Sequence, residues 1–320
     1  MTTGLSHHQK YLMEEFAEDY RHHRLPRRDL LKRVLSLTGS VPMTATMLFA
    51  LGCGDSSSDA PAPSGTAAPT AIPLVTTEAG VGPNVSPSDP AIVAADITFK
   101  GPASDIKAYL ARPAATGSFP TVLVIHENQG LIDHLKDVAR RFAKEGFVAL
   151  SIDLLSRGGG TTADMAAVMA IYRGLVQDDM TADMKASIDY LKTQTFVKAN
   201  AIGVIGFCFG GGEAFEITIA SPDVKAAVPF YGSVREQILE PLGRTQAAIF
   251  AVYGELDRGT AQSPIVEERL KASGKPYQIK VYQGAPHAFF NENRTNSYNQ
   301  AAATASWKDT LAWFRTHLKG

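Results

Sequence analysis

From about residue 92 onward, short apolar runs alternate along the chain with longer stretches whose apolar residues recur every three or four positions. The short runs are rich in β-branched residues and indicate buried strands, whereas the longer stretches indicate amphipathic helices. Strands are predicted over 92–99, 106–111, 121–126, 147–155, 201–208, 226–231, 247–253 and 277–282. Helices are predicted over 133–146, 163–175, 180–193, 263–272 and 297–318. After an initial hairpin the two alternate, which predicts an α/β fold with a mostly parallel, doubly wound sheet and helices on both faces.

The first 90 residues have a different pattern. Residues 1 to about 25 are polar and charged, with a short amphipathic helix predicted around 11–20. The paired Arg27 and Arg28 then precede a moderately apolar run over 34–52. A proline and several small polar residues interrupt this run, so it is not expected to span a membrane. Paired arginines before such a run are typical of a twin-arginine export signal, and the alternative is an ordinary basic helix end.

Cys53 lies where the apolar run ends and a low-complexity segment begins. It follows Ala50, Leu51 and Gly52, and this tetrapeptide resembles the lipobox of bacterial lipoproteins, in which the cysteine is lipidated. A lipid there would hold the protein at a membrane surface, whereas cleavage without lipidation would release it into the periplasm or the medium. Residues 54–90 are rich in Ser, Ala, Pro, Thr and Gly and are predicted to form a disordered linker. We therefore expect an exported protein, with the twin-arginine export machinery as a partner and Cys53 as the candidate membrane anchor.

Composition and charge narrow the classes of function. The chain has 320 residues of near-average composition, which suits one large α/β domain over 91–320 after an export signal over 1–53 and the linker. Its net charge is −1, so it is not expected to bind nucleic acid. Its two cysteines, Cys53 and Cys208, lie in such different contexts that a disulfide is not expected. No metal is expected, because His126 has no second His or Cys at ligand spacing. The ring of His126 is expected to pack or to form hydrogen bonds instead. No organic cofactor is expected either.

The strand predicted over 201–208 ends in a Gly-x-Cys-x-Gly motif, with Cys208 between Gly206 and Gly210, and a helix is indicated directly after it. Strand, sharp glycine turn and helix are the context of a nucleophile elbow. The two glycines lack a Cβ, so the strand and the helix can approach closely around a strained central residue. The amide of Phe209 would then bind an oxyanion. The alternative interpretation is a glycine-rich connection around a buried structural cysteine.

Two further reactive residues follow strands of the same predicted sheet. Asp257 comes after the strand over 247–253, and His287 comes after the strand over 277–282. Ligands of such sheets bind beyond the carboxyl ends of the strands, and the order nucleophile, acid, histidine is that of α/β-hydrolases. A thiol attacks as a thiolate, so His287 would accept its proton while Asp257 fixes the tautomer of the ring. Taken singly, each residue is more readily explained as structural, but their joint placement favours catalysis.

Four short motifs occur in order over about residues 92–318. They are His-Glu-Asn-Gln-Gly-Leu over 126–131, Asp-Leu-Leu-Ser-Arg over 153–157, Gly-Phe-Cys-Phe-Gly-Gly over 206–211, and the pair Asp257 and His287. Together they resemble the dienelactone hydrolase family within the α/β-hydrolase superfamily. A nucleophilic cysteine rather than a serine separates this family from lipases and most esterases. The resemblance implies an α/β-hydrolase fold and cleavage of an enol lactone through a Cys-His-Asp triad.

The resemblance also implies roles for residues around this triad. Glu127 matches a glutamate that contacts the thiol and helps to deprotonate it when substrate binds, although a bond to nearby backbone would explain it structurally. The amide of Asn128 is the expected second donor of the oxyanion hole. Arg157 matches an arginine that binds the substrate carboxylate, a task that suits a guanidinium fork. Members that open dienelactone carry a second arginine shortly after the histidine; here Asn291 takes that place, and Arg294 follows as the second candidate for substrate binding. This departure and the expected export make dienelactone itself a less expected substrate.

These observations predict a hydrolase of a lactone or a small activated ester. Cys208 attacks the carbonyl, the oxyanion hole binds the tetrahedral oxygen, a thioester acyl-enzyme forms, and water assisted by His287 releases the acid. Two alternatives stay open, a general carboxylesterase or thioesterase on the same scaffold and a non-catalytic exported binding protein that keeps the fold. The natural substrate and the oligomeric state stay open as well.

Overall fold

The computed structural model describes residues 5–22, 24–53 and 82–319. The chain divides into two compact units, one within residues 1–79 and the other within residues 80–320. Residues 54–81, most of the predicted linker, lie outside the described residues.

The first unit is helical. Its helices are α1 (His7–Arg21), α2 (Arg27–Thr38) and α3 (Val41–Ala50). The amphipathic helix predicted around 11–20 lies within α1, which begins with a capping box in which Ser6 and Gln9 each bond to the other's backbone. Gly39 ends α2 with a φ of +68°, and the side chain of Ser40 caps α3, so the apolar run is divided between two short helices. Within the part of the chain that the structure describes, no helix has the length and apolarity to cross a membrane.

The second unit is built on an eight-stranded sheet. The strands are β1 (Ile92–Lys100), β2 (Asp105–Pro113), β3 (Phe119–Ile125), β4 (Val148–Ile152), β5 (Val197–Phe207), β6 (Val224–Phe230), β7 (Ala248–Gly254) and β8 (Tyr277–Tyr282). They lie in the order β1-β2-β4-β3-β5-β6-β7-β8. Only β2 runs antiparallel to its neighbours, and all other adjacent pairs in this described sheet are parallel. The predicted mostly parallel sheet is confirmed.

Seven helices are described in this unit. They are α4 (Asp133–Lys144), α5 (Met165–Arg173), α6 (Gln177–Lys192), α7 (Phe209–Ala220), α8 (Glu236–Leu242), α9 (Ser263–Ser273) and α10 (Gln300–His317). The prediction missed α8, which is only seven residues long and contains Pro241. Proline inside a short segment argues against a helix in any reading of the sequence.

Two glycines of β5 show that helices cover both faces of the sheet. A Cβ at Gly203 would meet the side chain of Phe314 on α10, whereas a Cβ at Gly206 would meet the backbone of Gly210 on α7. Residues an odd number of positions apart on a strand point to opposite faces, so α10 and α7 lie on opposite sides. On the α10 side, Phe142 of α4 packs against Phe314 with ring centroids 5.9 Å apart. The core is therefore two helical layers around a buried sheet.

The register of the sheet brings the carboxyl ends of its central strands together. Gly206 of β5 lies opposite Ile125 of β3 and Pro229 of β6. Farther along the sheet, Gly254 at the end of β7 lies opposite Tyr282 at the end of β8. The residues that follow these strands therefore meet at one edge of the sheet.

The chain packs against α4 before the first strand begins. The carboxylate of Asp137 accepts hydrogen bonds from the amides of Asn84 and Val85 at 3.0 and 2.7 Å. The carbonyl of Val85 accepts a bond from Nε of Arg140 at 2.6 Å. These contacts attach the second unit's first described residues to the face of α4.

Candidate active site

Cys208 lies in the sharp turn between β5 and α7. Its φ of +57° and ψ of −115° lie in a region that side-chain-bearing residues rarely adopt, at a cost of about 1–3 kcal/mol. A Cβ at Gly206 would come within 1.8 Å of the carbonyl oxygen of Gly210, and a Cβ at Gly210 would come within 2.5 Å of that of Ile125. Only glycine permits this approach, so the predicted close contact of strand and helix is confirmed, and the sulfur is held at the strand end.

Asp257 and His287 form a hydrogen-bonded pair beside this turn. Nδ1 of His287 lies 2.9 Å from Oδ2 of Asp257, and both side chains are buried. The other oxygen of Asp257 accepts a bond from the amide of Gly259 at 2.8 Å. Because a carboxylate only accepts hydrogen bonds, the proton of the neutral ring lies on Nδ1, and Nε2 is left to exchange protons.

The sulfur of Cys208 lies within 4.8 Å of a ring nitrogen of His287. Since Nδ1 is bonded to Asp257, proton exchange with the thiol falls to Nε2. Three residues from three separate strand ends thus stand in the order thiol, imidazole, carboxylate. This arrangement can deprotonate a nucleophile and later protonate a leaving group.

Glu127 is completely buried two residues after the end of β3, and its carboxylate is held by three side chains. Nδ2 of Asn291 donates to Oε2 at 2.7 Å, and Nε of Arg294 pairs with the same oxygen at 3.3 Å. The hydroxyl of Tyr231 donates to Oε1 at 3.3 Å. The two residues flagged as the family's departure, Asn291 and Arg294, therefore both reach this glutamate.

Burial acts to raise the pKa of Glu127, but four neighbours outweigh it and hold the pKa below its ordinary value. In order of effect they are Arg294, His134, Asn291 and His287. In this arrangement the carboxylate is ionised and a weak base. It becomes a stronger base when any of these contacts is given up.

The two residues predicted to bind an oxyanion, Phe209 and Asn128, lie in a helix and in a turn, respectively. Phe209 is the first residue of α7, and the amides of a helix's first turn have no acceptor within the helix. Asn128 follows Glu127 and is held through its side chain, because Oδ1 accepts a bond from Nη2 of Arg294 at 2.8 Å. Their joint action on an oxyanion stays a prediction.

His126 hydrogen-bonds within the protein, as expected. Its Nδ1 lies 2.7 Å from the carbonyl oxygen of Glu127, and its Nε2 lies 3.1 Å from the amide of Leu154. A carbonyl accepts and an amide donates, so Nδ1 carries the proton and Nε2 accepts. Burial also lowers the pKa of His126, against the opposing charge of Asp153. The ring is neutral and uses both nitrogens to hold two site loops together.

Arg157 lies in a short 3-10 helix, Ser156–Gly158, beside α6. Its Nε and Nη2 bond to the two carboxylate oxygens of Asp183 at 2.8 and 2.9 Å, and its Nη1 pairs with Asp179 at 2.9 Å. With Ile171 it lines an open groove of about 420 Å³. Its predicted bond to a substrate carboxylate stays a prediction, and in this structure its guanidinium already pairs with two carboxylates of the protein.

Two tyrosines at the site were not identified from the sequence. Tyr231 follows β6 with a φ of +39°, and its ring lies 4.9 Å from that of His287. Tyr172 of α5 donates to the carbonyl of Glu127 at 3.0 Å and packs edge-on against Phe209. The strand-end rule would have pointed to Tyr231, because it ends a predicted strand. Nothing in the sequence singles out Tyr172 from an ordinary core residue of a helix.

The sequence matches the profile of the dienelactone hydrolase family over residues 106–318. It is 33% identical over 225 residues to a Bradyrhizobium protein provisionally named as a 2-oxo-3-(5-oxofuran-2-ylidene)propanoate lactonase, covering 67% of this chain and 90% of the relative. It is 32% identical over 239 residues to a Synechocystis protein provisionally named as a carboxymethylenebutenolidase, covering 70% of this chain and 96% of the relative.

Among solved structures, the chain is similar to one from Klebsiella pneumoniae that is provisionally named as a dienelactone hydrolase. The TM-score is 0.65 at 26% identity, covering 71% of this chain and 100% of the other. The predicted α/β-hydrolase fold is thereby confirmed.

Proposed function

Because the chain belongs to the dienelactone hydrolase family and is a hydrolase of carboxylic ester bonds, we propose that it opens a lactone or a small activated ester through Cys208, His287 and Asp257. The observation that carries the proposal is the 2.9 Å bond between Asp257 and Nδ1 of His287, with the ring within 4.8 Å of the sulfur of Cys208. The provisional names of the two relatives, a lactonase and a carboxymethylenebutenolidase, support a lactone as substrate.

In the first half-reaction, Nε2 of His287 takes the thiol proton and the sulfur of Cys208 attacks the carbonyl carbon. The electron pair of the carbonyl moves to its oxygen, where the amides of Phe209 and Asn128 stabilise the negative charge. When the carbonyl re-forms, the leaving oxygen departs and takes the proton from His287. The product is a thioester, to which the leaving group stays joined if the substrate was a lactone.

In the second half-reaction, His287 takes a proton from water while the hydroxide attacks the thioester carbon. The sulfur leaves as a thiolate and recovers the proton from the ring, and the carboxylic acid is released. Asp257 stabilises the imidazolium in both halves, because its buried carboxylate accepts the Nδ1 proton.

Glu127 assists the deprotonation of Cys208 when substrate is bound, as a base that receives the thiol proton first and passes it to Nε2 of His287. Its ion pair with Arg294 lowers its pKa in the resting site. A carboxylate on the substrate that bonds to Arg294 would compete for this cation, raise the pKa of Glu127 and make it a better base. Arg294 therefore serves as a substrate anchor in the place where relatives use an arginine at the position of Asn291, and Arg157 is the second candidate anchor.

The test is hydrolysis of matched enol lactones and p-nitrophenyl esters, with and without a carboxylate, by the full chain and its Cys208→Ala variant. We expect lactone turnover that falls by about 10³-fold or more in the variant, together with a preference for the carboxylate-bearing lactone. Turnover of short esters alone would move the assignment to a general esterase. Equal turnover by wild type and variant would overturn the role of Cys208.

We further propose that the chain is exported and that Cys53 is its lipid anchor. Paired Arg27 and Arg28 precede the apolar run, and Cys53 ends a lipobox-like tetrapeptide. Replacing both arginines with lysine should retain the protein in the cytoplasm of a bacterial host, measured by fractionation. Loss of radiolabelled palmitate in Cys53→Ala would support the anchor, whereas export without label in wild type would identify a released protein.

A further inference from the structure

A largely buried ionic cluster lies next to Asn291 in the chain, and its members take no step in the proposed reaction. His134, the second residue of α4, is 1% exposed, and its Nδ1 lies 3.0 Å from Oε1 of Glu292. Nη2 of Arg141 bonds to both oxygens of Glu292 at 3.4 and 3.2 Å. Nε of Arg141 bonds to Asp137 at 2.8 Å. The cluster thus joins α4 to the segment that follows His287.

Glu292 belongs to a tight turn, residues 291–294. The amide of Asn293 bonds to Oδ1 of Asn291 at 3.0 Å, and the amide of Arg294 bonds to the carbonyl of Asn291 at 3.0 Å. The turn has no strand or helix of its own in the described structure. Its backbone bonds are local, from the amide of Asn291 to the carbonyl of Ala288 and from the amide of Tyr298 to the carbonyl of Arg294. Its contacts to α4 and to Glu127 are made by side chains.

The side chains of this turn point in two directions. Asn291 and Arg294 reach Glu127 at 2.7 and 3.3 Å. Glu292, which lies between them in the sequence, reaches His134 and Arg141 instead. The contacts to α4 and the contacts to Glu127 are thus made by one short turn that is closed by its own hydrogen bonds.

We propose that His134 is a positioning residue for the reaction. Its hydrogen bond to Glu292 holds the 291–294 turn in position, and Asn291 and Arg294 of that turn hold Glu127 in position. The role of Glu127 as a proton acceptor rests on the proposed function. The effect of His134 on the position of Glu127 does not rest on the proposed function, because it depends on contacts within the protein alone.

The direction of the hydrogen bond follows from the charges. Burial acts to raise the pKa of Glu292, but the hydrogen bond and charge of His134, then the charge of Arg141, lower it to about 2. Glu292 is therefore a carboxylate throughout the working range and can only accept. Nδ1 of His134 donates, whatever the charge of the ring.

The opposite side of the His134 ring has a different environment. The ring lies edge-on to Phe207 and Phe290, with centroids 6.3 and 6.1 Å away. Among the residues that the structure describes, none hydrogen-bonds to Nε2. The hydrogen bond of His134 to Glu292 therefore depends on Nδ1. Asparagine and glutamine both remove the charge that the ring exerts on Glu127, so the two substitutions form a matched pair that differs in this hydrogen bond.

A purely structural role explains the cluster less well. Burying paired charges costs several kcal/mol per ion, and apolar residues of similar volume are often equally stable or more so. The core around His134 is already aromatic, so a further apolar side chain would pack there. An apolar residue at position 134, however, could not bond to the carboxylate of Glu292 and so could not hold the 291–294 turn in one position.

The test compares His134→Asn with His134→Gln in the full chain. The amide nitrogen of asparagine overlays Nδ1 of histidine, whereas that of glutamine overlays Nε2. We expect His134→Gln to lower kcat by about tenfold and His134→Asn to stay within about threefold of wild type, because a displacement of a reacting group by about 1 Å is costly. Rates are measured per folded molecule, well below the thermal midpoint of each variant, so that a loss of stability alone leaves kcat unchanged.

Glu292→Ala approaches the same bond from the other partner. It should lower kcat at least as much as His134→Gln, because the bonds of Glu292 to Arg141 are lost as well. The double variant should lose no more than Glu292→Ala alone, since residues acting through one contact are not additive. Equal kcat for wild type and His134→Gln, or equal losses in His134→Asn and His134→Gln, would overturn the proposal.

Crystal structures of the two His134 variants test the positional effect without any turnover. In His134→Gln the distance from Nδ2 of Asn291 to Oε2 of Glu127, 2.7 Å in wild type, should exceed about 3.5 Å, and in His134→Asn it should not change. An unchanged distance in both variants would sink the inference even if the enzyme is active. Absence of any ester hydrolysis with the distance changed as expected would instead count against the proposed function alone.

Discussion

Two turns meet at the candidate active site, and their positions are held in different ways. The nucleophile turn, residues 206–211, is held by its backbone. The amide of Cys208 bonds to the carbonyl of Phe230 at 3.0 Å, and the amide of Gly210 bonds to the carbonyl of His126 at 3.1 Å. Its glycines lie against neighbouring backbone with no room for a Cβ. Hardly any side chain is needed to place the sulfur.

The 291–294 turn has local backbone bonds, but side chains connect it to Glu127 and to α4. Asn291 and Arg294 contact Glu127, and Glu292 contacts His134 and Arg141. Backbone contacts tolerate most changes of neighbouring side chains and fail when a glycine changes. Side-chain contacts fail one at a time. The nucleophile should therefore be lost in an all-or-none manner, whereas the setting of Glu127 can be tuned, and each prediction below tests this difference.

The largest effect is expected from Gly206→Ala. Its Cβ would lie 1.8 Å from the carbonyl oxygen of Gly210, so α7 would have to move. We expect a loss of more than about 4 kcal/mol in the free energy of unfolding and loss of all activity. Gly203→Ala on the same strand is the control, because the three atoms nearest to its Cβ belong to the side chains of Phe314 and Leu318 and not to backbone. It should cost about 1–3 kcal/mol and keep kcat, as measured by urea unfolding and ester hydrolysis.

The next largest effect is expected from Asp257→Asn, which changes the hydrogen bond between Asp257 and Nδ1 of His287. An amide at this position can donate to Nδ1 of His287, which would place the ring proton on Nε2 and prevent that atom from accepting the thiol proton. We expect kcat/KM to fall by about 10²–10⁴-fold with little change in thermal midpoint. A fall of less than about tenfold would mean that the ring tautomer does not limit the reaction.

A smaller effect is expected from Asn291→Leu, which removes the side-chain bonds of Asn291 to Glu127 and to the amide of Asn293. Losing the 2.7 Å bond leaves the contacts of Tyr231 and Arg294 to Glu127 in place. The carboxylate becomes a stronger base but is less firmly positioned. We expect the loss of position to outweigh the gain in basicity, with about a tenfold fall in kcat and a folded protein. The exposed neighbour in the turn, Asn293→Ala, is the control and should match wild type. If Asn291→Leu unfolds the protein instead, the claim that these contacts fail singly is wrong.

The smallest effect on kcat is expected at a buried side chain of the nucleophile helix, which acts on stability instead. Glu213 of α7 is buried and accepts a bond from Gln177 at 2.7 Å, and burial raises its pKa to about 7. The folded state therefore holds a proton that the unfolded state gives up at about pH 4.5. Stability should fall as the pH rises from about 4.5 to about 7, by about 3 kcal/mol from this group. Glu213→Gln should remove this fall, measured as urea unfolding across that range, while kcat changes little.

Much of this molecule could be predicted from the order of its residues. The strands and most helices follow from apolar periodicity, and the elbow follows from glycines spaced around Cys208. Asp257 and His287 were identified because parallel strands deliver their carboxyl ends to one edge. The helix α8 was missed because Pro241 lies within it. Tyr231 was missed although the strand-end rule covers it.

The amino-acid sequence by itself thus determined the fold and the strained turn that carries the thiol. The periodicity of apolar residues and the steric limits of the backbone both act between residues a few positions apart. Only the tertiary structure decided what Glu127, Arg157 and His134 contact. Asn291 reaches Glu127 across 164 positions, and Glu292 reaches His134 across 158. Such contacts depend on strand register and on which faces of helices meet, and a side chain's sequence neighbours carry no record of either.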